Sequence, residues 1–333
     1  MAAEPKRSFQ DSAAVGRAVG AGRTLAASMP RLILEARRVA ATVIHGLHGR
    51  RRAGPGENFW QYRRFMSGEP ASRVDWRRSA RDDHLYVREL EWEAAHTVWI
   101  WPDRSPSMNF ASQLARDTKL FRTLVMTLAL AEVLVEAGER VGIPGLTRPT
   151  GSRNVIEQMA QAIAHDRAER ASLPPSFAPS PLAEVVLLSD LWSEIADVRR
   201  TVTQLSGSGA RGHVVQIVDP AEETFPYWGR IEFVEPEGGG RITAGRAETW
   251  RDNYTARVAR HRAEIRAETD RLGWSFTIHR TDRPASELLL ALHARIGTAA
   301  ADSEFRPRPA AQATAQVTTQ VTTQAAPETT VTA

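Results

Sequence analysis

The chain has 333 residues, 42 % of them apolar, enough for one large domain with extensions or for two ordinary domains. It contains no cysteine, which excludes disulfides, thiolate metal sites and a cysteine nucleophile, and fits a reducing compartment. Net charge is +4, but residues 1–88 hold 17 Lys+Arg against 8 Asp+Glu, and the rest hold 26 against 31.

Residues 1–24 are small and polar, with Glu4, Lys6, Arg7, Asp11, Arg17 and Arg23 and no apolar leader segment, so a flexible N-terminus is expected. An N-terminal helix and a charged subdomain are expected over 25–93. From Pro30 onward, Leu32, Ile33, Leu34, Val39, Val43, Ile44 and Leu47 recur near period 3.6, which predicts a helix. The basic run His48 to Arg52 and then Gly54-Pro55-Gly56 end it. Residues 57–93 mix Phe59, Trp60, Tyr62, Phe65, Trp76, Tyr86 and Trp92 with dense charge and follow neither the helical nor the strand period. Here Arg63, Arg64, Arg73, Arg77, Arg78, Arg81 and Arg88 alternate with Glu57, Glu69, Asp75, Asp82, Asp83 and Glu89. Mixed charge of this density reads as internal ion pairing, not as a phosphate track, so nucleic acid is not an expected partner.

His96 to Trp101 is short, apolar and aromatic or β-branched, a buried strand that ends at Pro102-Asp103-Arg104-Ser105-Pro106-Ser107. A helix is predicted from about Gln113 to Ala137, with Leu114, Phe121, Leu124, Val125, Leu128 and Val135 as its buried stripe and Gly138 as its stop. Arg122, Glu132 and Glu136 interrupt this most apolar run, which is shorter than the ~20 residues of a membrane span. A soluble, cytoplasmic protein without a membrane span is expected. Glu139 to Arg148 reads as one or two short strands around a Pro-Gly turn, and Asn154 to His165 as a helix. Ala183 to Leu188 is a second buried strand, ending at Ser189-Asp190. Helices follow at Glu194–Leu205, Tyr254–Leu272 and Ser286–Arg295, with strands at His213–Val218 and Trp274–His279. Strands alternating with helices at this spacing predict an α/β domain over 94–300, a mostly parallel open sheet with helices on both faces. Residues 301–333 end in Ala, Thr, Gln and Val with Gln-Val-Thr-Thr twice in succession, the composition of a disordered low-complexity tail.

In an open α/β sheet, ligands bind beyond the carboxyl ends of the strands. Asp103 and Asp190 fall at two such ends, and Asp103-x-Ser105-x-Ser107 puts one carboxylate and two hydroxyls on a single turn. Hard oxygen donors suit Mg²⁺, or Mn²⁺ or Ca²⁺. Neutral serine ligands leave much of the ion's charge uncompensated, so the ion seeks an acidic side chain from a partner protein, the logic of a metal-ion-dependent adhesion site. Such a site adds a Thr or Ser from a loop ahead of a later helix. Thr150 and Ser152 both qualify, with Thr147 a more distant third. The competing reading is that Asp103 and the serines only cap the next helix and close the turn.

Three stretches together resemble the domain-of-unknown-function 58 family. The first runs Gly54-Pro55-Gly56-Glu57-Asn58-Phe59-Trp60-Gln61-Tyr62-Arg63-Arg64-Phe65, continues through Ser67-Gly68-Glu69 and Ser72 to Arg81 with Asp75-Trp76, and ends at Leu85 to Glu89. The second is Asp103 to Met108, and the third is Asp219-Pro220-Ala221-Glu222-Glu223 followed by Phe225 to Gly229. Glu69 stands where the family commonly has Asp. The resemblance covers roughly residues 30–295. It implies a von Willebrand A-like domain in a bacterial protein and a partnership with a MoxR-type AAA+ ATPase in assembling or activating other proteins. It does not imply an established biochemical activity. For the first stretch a structural use is expected: Arg63, Arg73 and Arg77 pairing with Glu57, Asp75 and Glu89 beneath Trp60 and Trp76.

The leading expectation is therefore a non-enzymatic, metal-dependent protein-binding module without catalytic residues, its ion held by Asp103, Ser105, Ser107, Asp190 and Thr150 or Ser152. A phosphatase- or nuclease-like hydrolase is the alternative. It lacks support because Ser105 stands where a haloacid-dehalogenase-type phosphatase needs a second Asp, and because the chain's only lysines are Lys6 and Lys119. Ser107 has no Gly-x-Ser-x-Gly elbow. A structural module with a vestigial metal site is the third reading.

Overall fold

The computed structural model describes residues 27–46, 59–66, 71–81, 83–90, 96–166, 171–236 and 240–304. Residues 1–24, the Gly54-Pro55-Gly56 break and the tail from 305 lie outside the described residues. So do the side chains of Glu57, Trp60, Arg63, Arg73 and Glu89, on which most of the expected ion-pair clamp rests.

In chain order, helix α1 (27–46) is followed by strand β1 (Phe59–Arg64), the single turn α2 (Trp76–Ser79) and strand β2 (Tyr86–Leu90). Next come β3 (Thr97–Pro102), α3 (Lys119–Glu136), β4 (Arg140–Gly142), α4 (Val155–His165) and β5 (Glu184–Ser189). Then follow α5 (Ile195–Gly207), β6 (Arg211–Val218), α6 (Pro220–Thr224), β7 (Ile231–Val234) and β8 (Arg241–Ala244). Helix α7 (Arg251–Arg271), strand β9 (Ser275–Arg280) and helix α8 (Ala285–Glu304) complete it.

Five strands form one parallel sheet in the order β4-β3-β5-β6-β9. Numbered by their own succession this is 2-1-3-4-5, so the order reverses between β3 and β5. The α/β architecture expected from alternation is thus present. Side-chain alternation divides the strands between two cores. Val98, Ile100, Val186, Leu188, Val215 and Ile217 face one core, closed by α1, α3, α4 and α8. Trp101, Val185, Leu187 and Val214 face the other, with Leu205 of α5 and Ile265 of α7. Every residue of β5 is buried, as a strand covered on both faces must be.

Helix α1 buries Leu32, Ala36, Ala40 and Val43 in the main core, while Leu34, assigned to the apolar stripe by period alone, is 70 % exposed. Its Arg31 pairs with Asp117 and lies over the Phe121 ring. Helix α3 starts about six residues later than its pattern suggests. Turns occupy the stretch before it, Leu114 points to solvent, and the Thr118 hydroxyl caps the helix by accepting from Phe121 N.

Two antiparallel hairpins are illegible from periodicity: β1 with β2, and β7 with β8. In the first, Asp75 accepts from Arg78 N and caps α2, and Trp76 is exposed. The second packs its Phe233 against Phe225 and Tyr227 in a small third core, which Tyr254 joins through Phe225. No helix among the described residues is long and apolar enough to cross a membrane.

At the amino edge of β6 the backbone of Gly212 lies flat against the Trp274 ring. A Cβ there would come within 1.9 Å of ring carbon Cε3. Gly212→Ala should therefore destabilise the fold by about 1–3 kcal/mol or more through overpacking. A urea denaturation midpoint equal to the parent's would contradict this packing.

Candidate functional site

The strand order reverses between β3 and β5, the switch point at which open α/β sheets form their ligand crevice, and both expected acids follow the strands that flank it. Asp103 follows β3 directly, its backbone N donating to Leu188 O at 2.8 Å and so extending the pairing with β5 by one residue. Asp190 follows β5. The next residue, Leu191, has φ of +57°, a conformation that costs a non-glycine residue roughly 1 kcal/mol or more and persists only where its surroundings hold it. They do so here: Gln216 Nε2 donates to Asp190 O at 2.9 Å, and the His261 ring nitrogen Nε2 meets Leu191 O at 2.6 Å. Arg262 Nε in turn donates to Gln216 Oε1.

The hydroxyls join the two carboxylates into one network. Asp103 accepts from Ser105 N at 2.8 Å and from the Ser189 hydroxyl at 2.6 Å. Ser105 Oγ and Ser107 Oγ are 3.1 Å apart, and Ser107 donates to Asp190 Oδ2 at 2.7 Å. Neither serine hydroxyl caps a helix, although Ser105 stands at the N-cap of the short turn over Pro106–Asn109. The serines are spent on the site. Asp103, Ser105 and Asp190 are buried, and Ser107 is the member that reaches toward the surface.

Three further side chains complete the site, and none had been singled out as a site residue. Lys119, the first residue of α3, is buried, and its ammonium donates to Asp190 Oδ2 at 2.9 Å and to Glu222 Oε1 at 2.6 Å. Glu222 belongs to a capping box that opens α6. Its Oε2 accepts from Asp219 N, while Asp219 accepts from Ala221 N and, through Oδ2, from Ser112 N. The Asp-Pro-x-Glu segment thus closes the crevice from the end of β6. One signal in the sequence could have found Lys119. Of 43 basic residues only two are lysines, and one of them opens the helix that follows the Asp-x-Ser-x-Ser turn.

Thr150 and Ser152 are not brought to this site. Thr150 bridges Val141, which is level with Val98 near the start of β3. That is five residues short of Asp103, roughly 16 Å along a strand. Thr150 Oγ1 accepts from Ser152 N, and Ser152 Oγ accepts from Asn154 N, so both serve the turn into α4. Thr147 Oγ1 accepts from Ile143 N in the same connection. A position ahead of a helix does not reveal which end of the sheet that helix starts from.

Burial pushes the Asp103 carboxyl up to about 7, with the nearby Asp190 charge adding to it against the hydrogen bonds from Ser189 and Ser105. Burial raises Glu222 as well, against the pull of Lys119. For Lys119 burial works downward, but Asp190 and Glu222 outweigh it and hold the ammonium above its ordinary range. The crevice is short of positive charge. Its donors also suit a hard cation. Ser105 Oγ, Ser107 Oγ and Asp190 Oδ2 follow one another at 3.1 and 2.7 Å, close to the roughly 3 Å between adjacent oxygens around an octahedral Mg²⁺. Turning the hydroxyl hydrogens away would present their lone pairs without moving a heavy atom. Among the described residues no cluster of three or more His, Cys, Asp or Glu side chains forms a metal centre, so any ion here would rest on two carboxylates and the serines.

Fold and site together define a doubly wound α/β protein with a carboxylate–hydroxyl–ammonium network at its switch point. The chain belongs to the DUF58 family (Protein of unknown function DUF58), which matches residues 61–264. It is 25 % identical over 282 residues to the uncharacterized protein Rv1480 of Mycobacterium tuberculosis, the match covering 78 % of this chain and 86 % of that protein. The same figures hold for the uncharacterized protein Mb1516 of Mycobacterium bovis. Two solved structures are similar over 61 % of this chain and 100 % of theirs, each with a TM-score of 0.36. They are an aerotolerance-related membrane protein from Bacteroides fragilis, 16 % identical, and the conserved hypothetical protein BatB from Bacteroides thetaiotaomicron, 12 % identical.

The raised Asp103 has a measurable consequence. Between its ordinary value of 3.8 and about 7 the folded state holds a proton that the unfolded state has released, so stability falls as pH rises through that window. In EDTA the parent should lose on the order of 4 kcal/mol relative to Asp103→Asn between pH 4 and pH 8. His279, which burial lowers to about 4, acts in the opposite sense but equally in both proteins. A stability difference independent of pH would show that Asp103 keeps an ordinary carboxyl.

Proposed function

We propose that this chain is a non-enzymatic protein-binding module whose docking face is the carboxyl edge of the sheet at the β3–β5 switch point. In this reading Asp103, Ser105, Ser107 and Asp190 hold a divalent cation, Mg²⁺ or else Mn²⁺ or Ca²⁺, which would supply an electrophilic point of attachment for an acidic side chain of the partner. The observation that carries it is the pair of buried carboxylates joined by two serine hydroxyls, where burial, and after it the Asp190 charge, raises the Asp103 carboxyl. Ser107, the member nearest the surface, marks the side from which a partner approaches. A role beside a MoxR-type AAA+ ATPase in the cytoplasm, as an assembly adaptor, is the partnership we assign to that face. Asp103 suits holding better than nucleophilic attack, since both its oxygens already accept hydrogen bonds and it is fully buried.

The test is thermal. The protein treated with EDTA and then given a cation at 100 times its dissociation constant gains about 2.7 kcal/mol, which for a domain of this size raises the melting temperature by roughly 5–10 °C. The rise should vanish in Asp103→Ala, together with capture of the ATPase. An equal rise in both proteins, or none with any of the three cations, would remove the metal from the reading.

A further inference from the structure

Lys119 is the feature that neither the adhesion logic nor the hydrolase alternative explains. A lysine side chain with 1 % of its surface exposed must have its charge matched, because an unpaired buried ammonium costs several kcal/mol. The match here is more than one to one. The ammonium lies between Asp190 and Glu222, and Asp103 stands across the same crevice, joined to Asp190 through Ser105 and Ser107. Once Asp103 has released its proton, three carboxylates therefore share one fixed cation, a deficit of two charges. A single divalent ion removes that deficit completely. Without Lys119 the same ion would leave one carboxylate uncompensated, and with a second fixed cation it would overshoot.

Lys119 also touches Asp190 on the oxygen that Ser107 addresses, Oδ2. Whatever cation the serine side of that oxygen accepts must share it with the ammonium, and the two positive charges repel at short range. The choice of residue fits this duty. The chain uses arginine nearly everywhere, yet places a lysine here, and an ammonium is a compact point charge that fits between two carboxylates where a planar guanidinium fork does not. The Phe110 ring, 5.9 Å from Nζ, borders the ammonium.

We propose that Lys119 is the permanent cation of the switch-point site, which pairs with Asp190 and Glu222, cancels one of their two charges and thereby sets the affinity of the site for one exchangeable divalent cation. This inference rests on the metal reading given above for the parent chain, but it makes a separate claim about Lys119. As a positioning residue it acts through Asp190 and Glu222 and need not touch a partner.

The experiment is a calorimetric titration of the full chain with Mn²⁺ and with Mg²⁺, beside Lys119→Met and Glu222→Gln. Lys119→Met should bind the ion at least about tenfold more tightly than the parent, about 1.4 kcal/mol. Its melting temperature in EDTA should fall and be restored by millimolar cation. Glu222→Gln changes the balance the other way and should bind several-fold more weakly. Binding in the parent with equal or weaker affinity in Lys119→Met would overturn the role of Lys119 and leave the metal reading standing. Binding in Lys119→Met but not in the parent would overturn the metal reading for the native chain and support Lys119 as a cation in its own right. No binding in either folded protein would overturn both. If Lys119→Met does not fold, Glu222→Gln decides, and an affinity equal to the parent's overturns the proposal.

Discussion

The contact between the Lys119 ammonium and the carboxylates of Asp190 and Glu222 joins three segments that lie far apart in the chain. Lys119 comes from the first turn of α3, Asp190 from the end of β5 and Glu222 from α6 beyond β6. Withdrawing these ions from water costs several kcal/mol each, and attraction restores it only where the remaining donors and acceptors are also satisfied. The surroundings meet that condition. Glu222 accepts from the backbone of Asp219, Asp190 accepts from Ser107, and the Asp219 carboxylate reaches back to Ser112 ahead of α3. The rim of the crevice is thus closed by polar contacts, while the sheet below it is held by two apolar cores.

The same closure accounts for the backbone at Leu191. A sharp reversal after β5 is needed to keep Asp190 facing Ser107 and Lys119, and the left-handed conformation of Leu191 provides it at an energetic cost. The Leu191 side chain is buried in the second core, and the adjoining carbonyls are held by Gln216 and His261. Local strain at the end of a core strand, supported from β6 and α7, is how this fold holds a carboxylate at a fixed place beside another.

The parts of this arrangement that could be read from the residues alone are those set by burial. Val98 to Trp101 and Val185 to Leu188 are continuous apolar runs, so their carboxyl ends, and with them Asp103 and Asp190, could be located from the residues alone. The alternation with helices was enough for the α/β class. Where apolar and charged residues mix, periodicity carried nothing: the strands Phe59–Arg64 and Ile231–Val234 are paired only locally and leave no strong signal. The late start of α3 was masked because Leu114 fits the stripe by spacing but lies in a turn. Thr150 and Ser152 illustrate a different limit, since a motif's partner across space depends on which edge of the sheet a loop occupies. Lys119 was visible as a rarity in an arginine-rich chain, yet its meaning depended on Glu222, a hundred residues away.

That rarity also gives the molecule a specific point of protease attack. An endoproteinase that cuts after lysine has two addresses in the entire chain, Lys6 and Lys119. Lys119 is sealed in the first turn of a helix with its ammonium engaged twice, so the peptide bond after it becomes accessible only when that corner of the molecule comes apart. The rate at which the chain is cut into two large fragments is therefore a direct clock for the opening of the switch point, native to the sequence and requiring no label.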